Sequence, residues 1–237
     1  MKILVIIPAY NEVENLGPLI EQLLKHPLDL EVLVIDDHSP DGTGALVRSL
    51  AAKEARIHLL ERPGKLGMGS AQREGLRYAL ARGYDRVMIM DADFSHDPAL
   101  VPAMIRASET ADFVVGSRYI PGGSTPDWPW HRRFLSGGSN VLSRLTLGRQ
   151  LHDWTSSYRC FRREALAALP FDRLQSDGYE FVEELAYAIV SRGFRVAEVP
   201  ITFIDRSRGQ SKINRHEVWK AALNLFRLGL RRLFLRS

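Results

Sequence analysis

The chain has 237 residues, 45% of them apolar and 25% charged, which is ordinary for a soluble globular protein able to bury a sizeable core. Its single cysteine, Cys160, excludes an intramolecular disulfide and a cysteine-built zinc cage, and no apolar run reaches the ~20 residues that cross a bilayer. The net charge of +4 is modest, but basic residues gather at Arg132-Arg133, from Arg206 to Lys212 and down the C-terminal segment, a pattern that implies an anionic partner: phosphate, anionic lipid or nucleic acid.

The chain starts directly on Lys2-Ile3-Leu4-Val5-Ile6-Ile7, which reads as a first strand and not as a secretory leader. Strands are predicted near residues 2–8, 31–36, 56–61, 85–91 and 112–116, with helices near 14–25, 42–53, 69–82 and 98–108. Alternation of this kind is the signature of a parallel sheet with crossover helices. Asp97-Pro98 supplies an N-cap and first-turn pair. From Tyr119 to Ser136 the pattern breaks: Pro121, Gly122-Gly123, Pro126 and Pro129 make a loop that runs through Trp128 and Trp130 into His131-Arg132-Arg133. A helix over 135–147, a polar turn over 153–159, a short strand reaching Phe161, a helix near 179–192 and a strand near 195–200 follow. Helical periodicity returns at about Glu217 and continues to the end, with no internal repeat or low-complexity linker.

Asp91-Ala92-Asp93 closes the apolar run Val87-Met88-Ile89-Met90, and Asp36-Asp37 closes the strand that runs from Leu30 to Ile35. Two buried strands delivering acids to one rim form a nucleotide-site arrangement, because ligands of open α/β sheets sit beyond the carboxyl ends of the strands. The Asp-x-Asp spacing suits one or two oxygen ligands on a hard divalent cation completed by diphosphate oxygens and water. In Pro8-Ala9-Tyr10-Asn11-Glu12, Pro8 stiffens the turn, Tyr10 can pack against a base and Glu12 can accept hydrogen bonds from a ring. No Gly-x-Gly-x-x-Gly run follows the first strand, which argues against a dinucleotide dehydrogenase. Gly64-Lys65-Leu66-Gly67-Met68-Gly69-Ser70 lacks the ordered P-loop string and reads as a flexible backbone-donor loop entering a helix. His96 has no second histidine at metal-ligand spacing and reads as structural. Arg118, Arg132, Arg206, Arg208 and Lys212 stand beside glycine-rich segments, where guanidinium forks and a point-charge lysine suit phosphate.

In the tail, Lys220, Asn224, Arg227 and Arg231 share one polar face, with apolar residues filling the rest. Such a helix can dock on the core, meet a partner subunit's helix, or lie at a membrane interface, where each basic side chain near an anionic surface adds about 1 kcal/mol.

The ordered set Pro8-x-Tyr10-Asn11-Glu12, Asp36-Asp37-x-Ser39-Pro40-Asp41, Asp91-Ala92-Asp93-x-Ser95-His96, Gly116-Ser117-Arg118-Tyr119, Glu198-Val199-Pro200 and Arg208-Gly209-x-Ser211-Lys212 resembles the dolichol-phosphate (polyprenol-phosphate) mannosyltransferases of glycosyltransferase family 2, along nearly the whole chain. The resemblance implies a GT-A, Rossmann-like α/β fold: a mostly parallel sheet flanked by helices over 1–213, followed by a C-terminal amphipathic helix over 214–237. It implies GDP-mannose as donor, polyprenyl phosphate as acceptor, Mg²⁺ or Mn²⁺ as cofactor, and a peripheral place on the cytoplasmic face of a membrane, with a membrane-anchoring subunit as a further partner and no nucleic acid. Carried over position by position, Pro8, Tyr10, Glu12, Ile35 and Asp37 hold the nucleotide. Asp91, Ala92 and Asp93 hold the metal–diphosphate group with Ser95 beside them, and Asp91 and Asp93 are the metal ligands. Arg206 and Lys212 reach donor phosphates, while Arg118, Arg132 and Ser136 face the lipid phosphate. Asp91, Asp93, Arg118 and Lys212 are thereby the catalytic set. Ser157 departs from the pattern, standing where many relatives carry glycine.

A phosphate monoester with a second pKa of about 6 is largely ionised at neutral pH, so it needs no strong base to attack the anomeric carbon; the protein must stabilise the departing diphosphate. Attack on one face inverts the anomeric centre. A second reading keeps the fold but takes UDP-glucose or another nucleotide sugar, with a lipid phosphate or a glycan hydroxyl as acceptor. A hydroxyl acceptor needs a base, for which Glu184 is the nearest nominee. A nucleic-acid-binding module is the third reading, and no stacking-rich recognition motif supports it.

Overall fold

The runs Ile3–Ala9 and Leu30–Asp36 are almost wholly apolar and buried on both faces, as central strands of a parallel sheet must be. The computed structural model describes residues 1–174, 176–204 and 227–229. Its strands are β1 (Ile3–Ala9), β2 (Leu30–Asp36), β3 (Ile57–Glu61), β4 (Arg86–Ile89), β5 (Phe113–Ser117), β6 (Arg159–Arg162) and β7 (Val196–Pro200). They form one sheet in the order β3-β2-β1-β4-β6-β5-β7. All pairings are parallel except those of β6, which runs antiparallel between β4 and β5. The expected α/β, mostly parallel architecture is therefore present.

The helices are α1 (Val13–Leu24), α2 (Thr43–Ala51), α3 (Met68–Arg82), α4 (Val101–Ala107), α5 (Trp130–Thr146), α6 (Arg163–Ala167) and α7 (Phe181–Val190). Alternation along β1 divides the core in two. Leu4 and Ile6 pack with Leu33 and Ile35 beneath α3 and α7, whereas Ile3, Val5 and Ile7 pack with Val32 and Val34 beneath α1, α2 and α4. Gly75 lets α3 approach the sheet: a Cβ there would stand 2.7 Å from Ile6 Cγ2 and 2.8 Å from Ile35 Cδ1.

Three expectations shift. The segment 98–108 divides into a 3₁₀ turn, Pro98–Leu100, and α4, because Pro102 occupies the first turn of the helix. Helix α5 starts at Trp130, five residues before the predicted 135, since extended Pro129 (φ −63°, ψ 152°) launches it directly. The short α6 was not predicted at all. Of the tail, the structure describes only 227–229, where Leu228 is buried in the core; the rest of the expected C-terminal helix, and the 213/214 boundary, lie outside the described residues. Among the described residues no helix is long and apolar enough to cross a membrane.

Helix α5 is packed the opposite way round from an ordinary surface helix. Its only buried residues are polar, Asn140 and Ser143, while Trp130 is 80% exposed, Phe134 79% and Leu145 64%, with Leu135, Val141 and Leu142 also exposed.

Ser143 Oγ donates to Glu183 Oε1 on α7 at 2.9 Å, while Glu183 Oε2 is buried with no hydrogen-bond partner. Burial pushes the Glu183 carboxyl up to about 7, against the Ser143 hydrogen bond and the charge of Arg159. A raised carboxyl pKa favours the folded state fully below the ordinary 4.5, and that contribution is lost as pH rises through about 7; the difference is worth roughly 3 kcal/mol. Glu183→Gln, which mimics the protonated form, is expected to raise Tm at pH 8.5 and leave it nearly unchanged at pH 5. Equal shifts at both pH values in thermal melts would contradict this.

Candidate functional site

The register aligns Ala9 with Asp36 and Ile6 with Ile89, so β1, β2 and β4 end along one rim. Each strand is followed by a turn containing a non-glycine residue of positive φ: Asn11 (58°), His38 (59°) and Phe94 (61°), the three such residues among those described. Strained turns cluster where side chains must be aimed. Side chains of the chain itself hold them. Asp36 accepts from the amide and hydroxyl of Ser39, whose Oγ also accepts the Asn11 amide at 3.0 Å. Asp41 accepts from Val13 N and Thr43 Oγ1. Asp36 thus serves the turn, and Asp37 is the acid that faces the cleft.

That cleft, about 280 Å³, is lined from the β1 end by Pro8, Ala9, Tyr10 and Glu12, from β2 by Asp37, and from β4 by Asp91, Ala92 and Asp93. Opposite stand Lys65, Gly67 and Met68 of the loop into α3, with Gly178 and Tyr179 before α7. Lys65 Nζ lies 4.3 Å from the centre of the Tyr10 ring. Asp37 Oδ2 accepts the Leu66 amide at 3.1 Å and Oδ1 lies 3.1 Å from Arg62, an almost fully buried pair. Burial lifts the Asp37 carboxyl above its ordinary range, against the pull of Arg62 and the loop amides.

The two acids after β4 are each held by a serine. Ser95 Oγ donates to Asp93 Oδ1 at 2.6 Å, and the Ser95 amide donates to the same oxygen at 3.1 Å. The antiparallel register of β4 and β6, Ile89 opposite Arg159, extended by two residues sets Ser157 opposite Asp91; its Oγ donates to Asp91 Oδ1 at 3.0 Å. His96 is fully buried and stacked on Tyr158, and its Nδ1 accepts the Asp91 amide at 3.0 Å. Burial depresses its pKa, so it supports Asp91 as a neutral ring. No cluster of three or more His, Cys, Asp or Glu able to hold a metal exists among the described residues. Two carboxylates steadied by one oxygen each fit a hard cation whose remaining ligands come from a diphosphate and water.

A second set gathers beside the cleft. Arg118 pairs bidentately with buried Asp153, Nε to Oδ2 at 2.7 Å and Nη2 to Oδ1 at 2.8 Å, and also donates to Thr155 Oγ1 at 2.7 Å. Burial alone would push the Asp153 carboxyl up, but Arg118 holds it below the usual carboxylate range. Arg118 and Arg132 both lie on the Trp128 ring, at 5.4 and 4.1 Å from its centre. Tyr119 OH bonds Ser136 Oγ at 2.7 Å. The structure therefore gathers Arg118, Arg132 and Ser136.

Two of the expected nucleotide residues stand back from the cleft. The Ile35 side chain is fully buried beneath α3, because the inward alternation of β2 points it into the core. Ser95 is buried and acts through Asp93. Glu184 does not line the cleft: it is buried and accepts the Ser176 amide at 3.0 Å, which removes the nominee for a base. Arg206, Arg208 and Lys212 lie outside the described residues. Sequence reasoning missed Tyr179 and Asp153; the acid at 153 stood within a segment read only as a polar turn.

The family model for glycosyl transferase family 2 matches residues 4–169. The chain belongs to glycosyltransferase family 2. It is 41% identical over 230 residues to an undecaprenyl-phosphate mannosyltransferase of Micrococcus luteus, covering 97% of this chain and 95% of that one. It is 43% identical over 231 residues to a polyprenol monophosphomannose synthase of Mycolicibacterium smegmatis, covering 96% and 87%. Among solved structures, glucosyl-3-phosphoglycerate synthase from Mycobacterium tuberculosis, in complex with Mn²⁺, UDP and glucosyl-3-phosphoglycerate, superposes with a TM-score of 0.66 at 20% identity, covering 98% of this chain and 79% of that one. A mannosyltransferase from Pyrobaculum calidifontis, in complex with GDP-mannose and Mn²⁺, gives 0.62 at 21% identity, covering 97% and 64%. At those identities the likeness establishes the GT-A fold, and the family assignment makes the protein a glycosyltransferase.

Proposed function

We propose that the protein transfers mannose from GDP-mannose to the phosphate of a polyprenyl phosphate, yielding polyprenyl phosphate mannose and GDP. The carrying observation is the cleft in which Tyr10, Glu12 and Asp37 meet Asp91 and Asp93, in a chain whose relatives over nearly its full length are mannosyltransferases acting on undecaprenyl or polyprenol phosphate. In this reading the catalytic domain spans 1–213, Tyr10, Glu12 and Asp37 receive the nucleoside, and Asp91 and Asp93 hold Mg²⁺ or Mn²⁺, which when bound neutralises charge on the diphosphate. Arg206 and Lys212 supply further positive charge to the donor phosphates. Arg118 and Arg132 bring the anionic acceptor against an anionic donor and align it.

The acceptor phosphate oxygen forms the new bond to the anomeric carbon as the bond from that carbon to the β-phosphate oxygen breaks, and the electron pair leaves with GDP. The displacement inverts the anomeric centre. An ionised phosphate nucleophile needs no base, in keeping with the engagement of Glu184 elsewhere.

A lipid acceptor requires a membrane surface, and α5 suits one on the cytoplasmic face. Its outward face carries Trp130, Phe134 and Leu145, and Arg133, Arg144 and Arg149 lie on or just beyond the same helix. The sequence had pointed to the tail alone for this contact. Sedimentation with phosphatidylglycerol vesicles is expected to pull down the protein. The combination of Trp130→Ala, Phe134→Ala and Leu145→Ala is expected to weaken that binding at least about tenfold, from the lost apolar burial. Unchanged binding would remove α5 from the interface.

The substrates are tested by supplying radiolabelled GDP-mannose or UDP-glucose with undecaprenyl phosphate and following label into the organic phase. Lipid-linked mannose from GDP-mannose is expected. Transfer from UDP-glucose only, or to no lipid phosphate, would overturn the proposal.

A further inference from the structure

We propose that Asn140 of α5 is a positioning residue for the acceptor phosphate, setting the place of Arg118 through Thr155. The inference rests on the reading of Arg118 as an acceptor-phosphate group given above.

On a helix whose outer face is apolar, Asn140 is one of two buried side chains, and its amide makes two contacts to the 154–155 stretch and one to its own helix. Its Oδ1 accepts the backbone amide of fully buried Trp154 at 2.7 Å. Its Nδ2 donates to Thr155 Oγ1 at 3.1 Å and to the Ser136 carbonyl at 3.0 Å. Thr155 Oγ1 in turn accepts from Arg118 Nη2, and Asp153 Oδ1 accepts both the Thr155 amide at 3.2 Å and the same Nη2 of Arg118 at 2.8 Å. The stretch 153–155 is therefore clamped on one side by α5 and on the other by the guanidinium.

The chemistry explains why an amide is needed. A carboxylate at 140 would add a charge within reach of Arg118, and a hydroxyl would be too short to span from the Trp154 amide to Thr155. An amide presents an acceptor and a donor on opposite corners of one rigid plane, which fixes the distance between α5 and the loop. Ser136, whose carbonyl takes the third contact, also bonds Tyr119, the residue after Arg118. Seating of α5 is thereby transmitted to both sides of Arg118, and none of these contacts touches the Tyr10, Glu12 and Asp37 end of the cleft.

The test measures steady-state kinetics of the full-length protein for Asn140→Ala, Thr155→Val and the double variant, varying undecaprenyl phosphate and GDP-mannose separately. Each single variant is expected to raise KM for the lipid about tenfold and to change KM for GDP-mannose by less than about twofold. The double variant should resemble the singles, since both cut one chain of contacts. Asn140→Ala could unsettle α5 as a whole; Thr155→Val leaves the helix contact to Trp154 intact and must show the same split. An unchanged lipid KM, equal losses on both substrates, or additive effects in the double variant would overturn the inference. Wild-type protein that fails to use the lipid phosphate at all would instead remove the functional reading on which it rests.

Discussion

Replacing Asp93 with alanine is expected to cut mannosyl transfer by about 10³-fold or more, the scale on which loss of one group stabilising developing charge is felt. Alanine also strands the amide and hydroxyl of Ser95, both of which bond Asp93 Oδ1, so Asp93→Asn is the sharper variant. It keeps an oxygen for Ser95 and removes only the charge. Initial rates at saturating GDP-mannose with increasing Mn²⁺, alongside thermal melts, separate the two effects. The asparagine variant should melt near the wild type yet be nearly inactive, and titration calorimetry should show GDP binding that no longer strengthens with Mn²⁺. Chelation of the wild-type protein should have the same consequence, reversed by Mn²⁺ or Mg²⁺. Wild-type turnover in Asp93→Asn would remove that carboxylate from the mechanism.

Arg118→Ala is expected to destabilise the protein by about 3–5 kcal/mol, because it strips the buried Asp153 carboxylate of its paired guanidinium. Its loss of activity would therefore say little about phosphate contact. The pair Arg118→Ala with Asp153→Asn removes both charges and keeps the Asp153 oxygen that accepts the Thr155 and Ser156 amides. That double variant is expected to recover most of the lost Tm. If Arg118 also binds the acceptor, the lipid KM stays raised by at least about tenfold in the recovered protein, as removal of a charge-assisted bond predicts. Recovery of both Tm and lipid KM would assign Arg118 to the ion pair alone.

The rim was legible in the sequence because its signals are local. An apolar run ending in acids marks both a buried strand and the direction of its carboxyl end, so Asp37, Asp91 and Asp93 could be placed before any coordinates. The Arg118–Asp153 pair was not legible, since its partners lie 35 positions apart. It depends on β6 entering the sheet antiparallel between β4 and β5, which periodicity cannot foresee. The same insertion carries Ser157 to Asp91. Helix α5 shows a different limit. Spacing tells which residues share a helix face but not which face turns inward, and here Asn140 and Ser143 are inside while Trp130 and Phe134 are out.

The left-handed turns at Asn11, His38 and Phe94 carry one last consequence. Each stores on the order of 1 kcal/mol whether or not a substrate is present, so the ordering cost of the rim is met once, at folding, and not at every turnover. Laboratory evolution for heat tolerance alone should therefore drift toward glycine at these three positions, trading catalytic speed for a more relaxed backbone.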